Sequence, residues 1–406
     1  MADYDVDSAR VQRGERQRQA RRARRKRALT FAIAVLALAA AAAAAPTGWR
    51  ALSREIARRT VKPTAAELPA SVPATVNLAP IVAATRDDTL TITAVGDLLF
   101  DLSPRTLVAK EGGRAPLIKV ESVLADSDIT IGNLEGPLSN RGTHVGGKTP
   151  NLIFEGDPRS IESLKASGFD LLALANNHVM DHGPDAVEDT LKTLGDAGIA
   201  SAGAGMNTAQ AWKPAIIERK GKKIAFLSFS QIVPGGFLPS DTRAGMANGK
   251  DMTRALAAIR AAEQQADYVI VSYHWGVEQS WIANAGQVRD ARASIDAGAD
   301  MVLSHHPHVM QALEFYKGKL IAYSLGNFLF PYKTVEGRKS FILKAELGPG
   351  GSTGVRAIPV YMGEYGRPSI QTGASAAGIL DKLREVSAAR GAKVIIEGDT
   401  ARVVPQ

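Results

Sequence analysis

Short apolar runs, each followed at once by polar residues, recur along the chain. Apolar and β-branched residues fill segments 90–95, 129–131, 171–174, 268–272 and 301–303. Runs of this length and composition predict strands that are buried on both faces of a sheet. Apolar residues at three- and four-residue spacing predict amphipathic helices over 160–167, 184–197 and 252–266. Because strands and helices alternate, we expect an α/β fold with helices packed on the sheet.

Each predicted strand leads into a cluster of polar side chains. The clusters read G-D-L-L-F-D at 96–101, G-N-L-E-G at 132–136, A-N-N-H-V-M-D-H-G at 175–183, Y-H-W-G-V-E at 273–278 and H-H-P-H at 305–308. They hold six of the seven histidines. Ligands of open α/β sheets bind beyond the carboxyl ends of the strands, so we expect the five clusters to meet at one edge. Imidazoles beside carboxylates are the side chains that bind a transition metal and activate water there.

The third and fifth clusters carry the strongest signals. Asp181 follows His178 by three residues and can orient its imidazole. A helix cap before Pro184 is an alternative explanation for Asp181, but it does not account for the rest of the cluster. In the fifth cluster, His306 and His308 are alternate residues that can share one face, and the proline between them stiffens their spacing.

The other three clusters add candidate ligands. Asp97 follows a strand and a glycine, which suits either a hard metal ligand or a common turn. Asn133 and Glu135 stand two residues apart, so an extended backbone would point both side chains the same way. A polar turn is the alternative for that pair. His274 ends a predicted strand, and Glu278 offers another carboxylate close by.

Some residues are placed less specifically by the pattern. Trp275 is expected to form an aromatic wall of the site. Asn327 lies in the segment S-L-G-N-F and fits a substrate contact, a support for a ligand, or a turn. Asp101 fits either a further ligand or a local cap. His144 shares a glycine-rich loop with Lys148 and is expected to be exposed to solvent or to face substrate.

The charge of the chain is concentrated in one segment. The 406 residues carry a formal net charge of +8. Residues 1–27 hold ten lysines and arginines against four acidic residues, a net +6, which leaves +2 (8 minus 6) for the rest of the chain. Since the positive charge belongs to a tail, the folded part is not expected to bind nucleic acid. The chain has no cysteine, which excludes disulfides, thiolate catalysis and cysteine-ligated zinc.

An uncharged, alanine-rich stretch at 28–45 follows the basic tail. Its length is close to the minimum for a membrane-spanning helix, and the basic flank is expected to keep the N-terminus in the cytoplasm. A buried soluble helix and a signal peptide cleaved after the A-x-A site at 43–45 are the alternatives. We favour an uncleaved anchor, because the basic head is long for a signal peptide and Pro46 follows the site. Residues from 46 onward are then expected outside the cytoplasm, on a single-pass protein of the cell membrane.

Composition divides the remaining chain. Residues 46–88 are rich in alanine, proline and threonine without a sustained period, which predicts a linker. The main domain is expected over 89–347, and the turn cluster G-P-G-G-S-T-G follows it. Residues 348–406 are expected to pack on the main domain as an extension with a strand at 355–361, a helix at 375–389 and a hairpin at 392–404.

The motifs together resemble a known family. N-N-H-x-x-D, H-W-G-x-E, H-x-P-H and S-L-G-N-F, in this order within residues 91–330, resemble the CapA family of poly-γ-glutamate capsule synthesis proteins, part of the calcineurin-like metallophosphoesterase superfamily. The resemblance implies a four-layer α/β/β/α sandwich with a metal site at one end of its two sheets. It also implies a divalent metal of the Mn, Zn or Fe type. The implied partners are an anionic capsule polymer, polyglutamate, and other capsule synthesis subunits.

The resemblance also assigns roles to residues of the clusters. Carried over motif by motif, it implies His178 as the proton donor and seven metal ligands: Asp97, Asn133, Glu135, Asn177, His274, His306 and His308. His182 and His305 are expected to hold the ligands in place. The chain departs from the superfamily pattern twice. Leu99 stands where a histidine is usual, and an Asn-x-Glu pair replaces a bridging aspartate. We therefore expect one metal, or two that are weakly held.

Two functions of different classes follow. The first is a metal-dependent hydrolase or transferase, in which metal-activated water attacks a γ-glutamyl amide or phosphoester bond and His178, oriented by Asp181, transfers the proton. Glu278 is the reserve acid–base residue, and Asn327 and Trp275 contact substrate. The second is a non-catalytic scaffold that guides the polymer in a synthesis or export complex, which the reduced ligand set favours. An envelope phosphoesterase is a weaker alternative.

Overall fold

The computed structural model describes residues 89–145 and 147–406, all of which fall within one compact unit, Val82–Gln406. The predicted basic tail, anchor and linker at 1–88 lie outside the described residues. In the part that is described, no helix combines the length and the hydropathy needed to cross a membrane.

The described helices and strands alternate through most of the chain. The helices are α1 (Ser103–Glu111), α2 (Glu121–Leu124), α3 (Ile161–Ala166), α4 (Gly183–Asp196), α5 (Thr208–Trp212), α6 (Met252–Glu263), α7 (Ala285–Asp296) and α8 (Gly373–Ala388). The strands are β1 (Leu90–Leu98), β2 (Ile129–Leu134), β3 (Leu171–Ala173), β4 (Ala200–Ala202), β5 (Ala204–Gly205), β6 (Ala215–Arg219), β7 (Lys222–Ser230), β8 (Gly245–Met246), β9 (Tyr268–His274), β10 (Met301–His305), β11 (Leu313–Tyr316), β12 (Lys319–Ala322), β13 (Asn327–Leu329), β14 (Lys339–Gly348), β15 (Gly351–Met362), β16 (Pro368–Ile370), β17 (Ala392–Glu397) and β18 (Thr400–Pro405).

Two sheets contain most of these strands. The larger sheet runs β17-β18-β15-β14-β1-β2-β3-β4, with β13 paired to β1 and β16 paired to β15. In it, β1 to β4 are parallel and β14 joins β1 antiparallel. The smaller sheet runs β11-β12-β10-β9-β7-β6, with a parallel centre and antiparallel edges. A short pair, β5 and β8, stands apart from both.

Three apolar cores account for the arrangement of sheets and helices. One core contains residues of both sheets, among them Ile92, Ile131, Phe226 and Ile270. A second joins the other side of the larger sheet to helices, and a third joins the smaller sheet to α6 and α7. Parallel strands covered on both faces need apolar residues at every position, which explains the unbroken apolar runs in the sequence.

The mixed α/β fold predicted from the pattern is confirmed. Predicted helices at 160–167, 184–197 and 252–266 correspond to α3, α4 and α6. The five polar clusters end strands of two sheets, as the family resemblance implied, and not of the single sheet that the pattern alone suggested. The first three follow β1, β2 and β3 of the larger sheet, whereas the last two follow β9 and β10 of the smaller sheet. The apolar runs are alike in the two sheets, so the pattern could not separate them.

Candidate metal centre

Asp97 and Asn133 meet at the carboxyl ends of neighbouring parallel strands. They are register partners in β1 and β2, and both side chains are fully buried. Asn133 Nδ2 donates a hydrogen bond to Asp97 Oδ1 over 2.8 Å, and Asn133 Oδ1 accepts one from Asn176 Nδ2 over 3.1 Å. The Asn133 amide thus donates to Asp97 through its nitrogen and is itself held by Asn176 through its oxygen. The Asn133 oxygen has a second lone pair beyond the bond to Asn176, so its role as a metal ligand stays a prediction.

A glycine allows Asp97 to approach the S-L-G-N-F segment. The backbone N–H of Asp97 donates to Gly326 O over 2.9 Å. A Cβ atom on Gly96 would lie 2.0 Å from that same oxygen, so only glycine fits at this position. The approach also makes Asn327 the register partner of Asp97 in β13. The segment that carries Asn327 is thereby fixed beside the cluster.

Glu135 is the most unusual residue of the cluster. It follows β2, its side chain is fully buried, and neither carboxylate oxygen has a hydrogen-bond partner among the described residues. Its Oε1 lies 3.9 Å from His178 Nε2, 3.9 Å from His274 Nε2 and 3.7 Å from His308 Nε2. A buried, unpaired carboxylate costs several kcal/mol. Three imidazole nitrogens at this distance leave room between them and the carboxylate for one further atom.

Histidines of the smaller sheet face Asp97 from the opposite side. His305 Nδ1 lies 3.2 Å from Asp97 Oδ1, and His308 Nδ1 lies 3.4 Å from Asp97 Oδ2. His274 Nε2 lies 2.7 Å from Asn177 Oδ1 and 3.1 Å from His306 Nδ1. The structure therefore brings together donors from both sheets.

The H-H-P-H segment has an unusual backbone. His306 has φ 94° and His308 has φ 56°, in the left-handed region that residues other than glycine rarely adopt. Such conformations cost about 1–3 kcal/mol each and persist where the surroundings fix them. Here the His306 N–H points to Asp97 Oδ2 at 3.4 Å, and His308 Nδ1 lies 2.8 Å from Asn327 Oδ1. This strained backbone conformation directs the imidazoles of His306 and His308 toward the cluster.

A second group of contacts surrounds His178. His178 Nδ1 lies 2.8 Å from Asp181 Oδ2, and Asp181 Oδ2 also accepts the Phe154 N–H over 2.9 Å. The ammonium of Lys148 pairs with Asp181 Oδ1 at 2.5 Å and lies 3.1 Å from His178 Nδ1; it also donates to the carbonyl oxygen of Asn177. The Phe154 ring packs on the imidazole at 4.3 Å. These contacts fix the ring of His178 with Nε2 toward Glu135.

Burial and neighbouring charge shift the pKa values of the two buried carboxylates in opposite directions. Burial, and then the charge of Asp97, raise the pKa of Glu135 well above its ordinary 4.5. Burial also acts to raise the pKa of Asp97, but hydrogen bonds and positive charge from His305 and His308 hold that pKa well below 3.8. Of the two buried carboxylates, Asp97 is stabilised in its charged form by neighbouring histidines, whereas Glu135 is not stabilised enough to offset its burial.

The pKa values of the four imidazoles in the cluster are also shifted in opposite directions. Burial lowers the pKa of His178 to about 4, and burial with the charge of His308 lowers the pKa of His306 to about 3. Burial likewise lowers the pKa of His274 well below 6.5. Burial also opposes charge on His308, yet Glu135 and then Asp97 raise its pKa to about 9. Neutral imidazole is the form that binds metal, and three of these four rings are held neutral.

Two sets of side chains have donor atoms close enough to share an ion. Asp97, Glu135 and His274 form a fully buried set, and Glu278, His306 and His308 form a set that opens to solvent at Glu278. Nitrogen and oxygen donors of this kind suit Mn, Zn or Fe. The partnerless oxygens of Glu135 are the observation that fits a cation best, because a divalent ion would satisfy both.

The two predicted substrate contacts, Trp275 and Asn327, are both buried. The Trp275 indole is fully buried, stacks on Tyr273 at 4.4 Å and donates from Nε1 to Tyr323 O over 3.1 Å. It lies in the core behind the smaller sheet and presents no face to the cluster. Asn327 is also fully buried and holds His308. Its predicted alternative role, support of a ligand, matches this contact.

Other residues named from the pattern have local roles. Asp101 Oδ2 accepts the Glu155 N–H over 2.8 Å, which is the capping alternative. His182 Nδ1 lies 3.7 Å from a Glu155 oxygen and His144 is exposed. Glu278 is exposed beside His306 and His308, so it can act as a ligand as readily as an acid–base group.

The sequence pattern missed side chains that line the site. Lys148, noted only as a neighbour of His144, lies against Asp181 and His178. Phe154 covers His178, and Tyr332 packs on His308 with ring centroids 5.2 Å apart. These residues belong to irregular loops without periodicity. The one signal was position, because the loop of Lys148 connects two of the polar clusters.

Comparison with known proteins agrees with the motifs. The sequence model of the family described as bacterial capsule synthesis protein PGA_cap matches residues 91–332. The chain is 31% identical over 275 residues to the PGA biosynthesis protein CapA of Bacillus subtilis, covering 68% of this chain and 72% of that protein. It is 30% identical over 302 residues to the capsule biosynthesis protein CapA of Bacillus anthracis, covering 73% and 72%.

More distant similarities extend this set. A Mycobacterium tuberculosis protein named "Probable polyglutamine synthesis accessory protein" is 31% identical over 225 residues, covering 53% of this chain and 59% of that protein. Among solved structures, a Staphylococcus aureus protein described as a 5'-nucleotidase aligns with a TM-score of 0.41 at 15% identity, over 70% of this chain and about half, 53%, of that one. The family match, at residues 91–332, spans more than half of the chain and all five polar clusters. The chain therefore belongs to the PGA_cap family of bacterial capsule synthesis proteins, which includes CapA.

Proposed function

We propose that this protein is anchored in the membrane through residues 28–45 and acts outside the cytoplasm in poly-γ-glutamate capsule synthesis or processing, as a metal-dependent hydrolase or transferase. The three apolar cores support assignment of its domain to the four-layer α/β/β/α class of the metallophosphoesterases. The names of its relatives support the polymer: two Bacillus proteins are named for PGA or capsule biosynthesis.

Glu135 carries the proposal. A fully buried carboxylate with two partnerless oxygens, ringed by three imidazole nitrogens at 3.7–3.9 Å, is unfavourable as a purely structural feature. A divalent cation between these donors would offset the burial of the charge. The residues that would hold it are Glu135 with Asp97 and His274, and on the open side His306, His308 and Glu278. Asn177 Oδ1, 2.7 Å from His274 Nε2, is a further donor.

Residues of the chain would transfer the proton and position the groups around the ion. A bound divalent ion supplies a Lewis acid and a lowered pKa for bound water. With Nδ1 of His178 held by Asp181, its Nε2 is the atom free to take or give a proton on the side of Glu135. Lys148 binds Asp181 from the other side and keeps the loop at 147–154 over the site. Phe154 covers His178 and restricts water at that ring.

A non-catalytic role in guiding the polymer is the second candidate, and a specific observation favours it. Leu99, at the position where a histidine is usual in the superfamily, is buried in an apolar cluster with Phe154 and Phe330. No ligand is available there, so the set is smaller than that of a binuclear phosphoesterase. The relative from Mycobacterium tuberculosis is named as an accessory protein, which supports binding to other synthesis subunits.

The test uses the full chain purified in detergent. It is stripped with a chelator and reloaded with Mn, Zn or Fe, and cleavage of γ-linked glutamate polymer and of a bis-aryl phosphodiester is measured. We expect metal binding and metal-dependent turnover of the γ-linked polymer, with His306→Ala losing both and the matched control His182→Ala retaining them. Turnover of the phosphodiester alone would favour the envelope phosphoesterase.

Other outcomes decide against catalysis or against the site. If metal binds without turnover, and cells that carry His306→Ala still form capsule, the scaffold role is supported. Absence of metal binding would refute the proposed centre. The location is tested separately: protease added to intact spheroplasts should degrade the domain, and protection from protease would contradict an extracytoplasmic domain.

A further inference from the structure

Tyr332 stands at the open side of the cluster. Its ring centroid lies 5.2 Å from that of His308 and 5.8 Å from that of Phe330. The side chain is only half-buried, whereas Glu135, below it, is fully buried. Tyr332 therefore contacts the cluster on one side and solvent on the other.

The ring of Tyr332 is fixed by the loop that contains it. A Cβ atom on Gly337 would lie 2.3 Å from the Tyr332 ring, so the ring packs directly on the glycine backbone. Arg338 Nε donates to Tyr332 O over 2.6 Å. Gly337 O accepts from Asn327 Nδ2 over 2.8 Å, and the oxygen of the same amide lies 2.8 Å from His308 Nδ1. Asn327 thus couples the position of Tyr332 to that of a candidate metal ligand.

The hydroxyl of Tyr332 faces a neighbouring loop of the rim. It lies beside the side chain of Gln279, close to Glu278, and both of these residues are exposed. Thr334 Oγ1 contacts Gln279 Oε1 at 3.3 Å and joins the two loops. A phenol is neutral at pH 7 and can donate a hydrogen bond through its Oη–H.

We propose that Tyr332 positions substrate: its Oη–H donates a hydrogen bond to a carboxylate or carbonyl oxygen of a glutamyl unit bound over the cluster. This inference rests on the proposed function and names a recognition residue for it. Every unit of a γ-linked glutamate chain carries a free α-carboxylate, which needs a donor. A neutral phenol can supply that donor beside the carboxylate of Glu278 without binding the substrate as an ion pair.

The test compares Tyr332→Phe, which keeps the ring and removes the donor, with Tyr316→Phe. Tyr316 is a matched control because its hydroxyl bonds Asp296 at 3.3 Å on an edge strand of the smaller sheet. Binding of a short γ-linked glutamate oligomer to the metal-loaded full chain in detergent is measured by calorimetry, in a His178→Gln background that blocks turnover. KM, kcat, metal content and melting temperature are measured with His178 restored.

Tyr332→Phe should weaken oligomer binding about five- to ten-fold, as expected for one lost hydrogen bond, and raise KM with little change in kcat, metal content or melting temperature. Tyr316→Phe should bind as the wild type does. Gly337→Ala, which keeps the hydroxyl but displaces the ring, should weaken binding at least as much. If Tyr332→Phe binds the oligomer like the wild type, the inference fails.

The two proposals fail in different ways. Oligomer binding that depends on Tyr332, without cleavage, would refute hydrolysis or transfer and keep the inference. Cleavage with equal KM in wild type and Tyr332→Phe would keep the proposed function and refute the inference. A metal-loaded chain that neither binds nor cleaves the oligomer would refute both.

Discussion

Replacing Glu135 by glutamine should have opposite effects on stability with and without metal. In the metal-free protein the Glu135 carboxylate is fully buried with no hydrogen-bond partner among the described residues. Glutamine has nearly the same shape and no charge. Glu135→Gln should therefore stabilise the metal-free protein. With metal bound, the same change removes a charged ligand and should destabilise it.

The pH dependence in the metal-free state follows from the pKa of Glu135, which burial and the charge of Asp97 raise well above its ordinary 4.5 in the folded protein. A carboxyl with a raised folded pKa favours folding fully at low pH, and this contribution is lost as the pH rises above the unfolded value. Leaving a buried polar group without a hydrogen-bond partner costs about 1–3 kcal/mol, which sets the scale of the gain that glutamine can give at pH 7. Glu135→Gln should gain up to this amount at pH 7 and nothing at pH 4.5.

The magnitude with metal follows from affinity. Changes to residues that only support a metal ligand already lower affinity about 10- to 100-fold. Loss of Glu135 itself should cost at least as much, or roughly 1.4–3 kcal/mol of the stabilisation that saturating metal gives. The assay is chemical denaturation of the full chain in detergent, followed by tryptophan fluorescence, with chelator and with Mn or Zn.

Glu314→Gln is the matched control. Glu314 is also buried, but it accepts hydrogen bonds from Arg292 Nε at 2.8 Å and Tyr323 Oη at 2.7 Å. Its replacement should destabilise the protein by the same amount with and without metal. The reasoning is refuted if Glu135→Gln destabilises the metal-free protein as Glu314→Gln does, or if metal stabilises wild type and Glu135→Gln equally.

Three further predictions concern the pH response, the backbone and the core. His178 has its folded pKa depressed from 6.5 to about 4, so the unfolded state binds the proton first as pH falls. This one group should contribute a loss of about 3 kcal/mol between pH 6.5 and 4, and urea titrations of the metal-free protein should show a loss smaller by about that amount in His178→Gln. Gly96→Ala would place a Cβ atom 2.0 Å from a backbone oxygen and should lower stability by roughly 1–3 kcal/mol or more. The control is Gly195→Ala in α4, which has open space around it and should be neutral or stabilising by up to about 1 kcal/mol. Equal melting temperatures of the two variants would contradict this prediction. Trp275→Phe should cost about 1–3 kcal/mol through a lost hydrogen bond and packing and leave metal affinity unchanged, and a loss of affinity would return Trp275 to the site.

The sequence pattern predicted the site better than it predicted the directions of individual side chains. Asp97, Glu135, His274 and His308 were placed together because each follows an apolar run, and strand ends converge. Trp275 could have been excluded by extending the strand's alternation by one residue. Alternate residues share a face, so Trp275 lies with Tyr273 in the core, opposite His274.

The contributions of irregular loops could not be predicted. Lys148 reaches Asp181 from a loop with no periodicity, and Tyr332 is held by the packing of its ring on Gly337. Both positions depend on contacts between segments far apart in the chain. The hydrogen bond that Asn176 donates to the Asn133 oxygen also depends on the folded geometry and has no signal in the sequence.

The central claim is that a divalent ion lies between Glu135 and the imidazoles around it. Anomalous diffraction from crystals of the metal-loaded protein tests this most directly. We expect a peak at about 2.0–2.2 Å from a Glu135 oxygen and from His274 Nε2, absent from Glu135→Gln crystals grown in the same way. A filled cluster without an anomalous peak, with waters or a rearranged lysine satisfying Glu135, would contradict it.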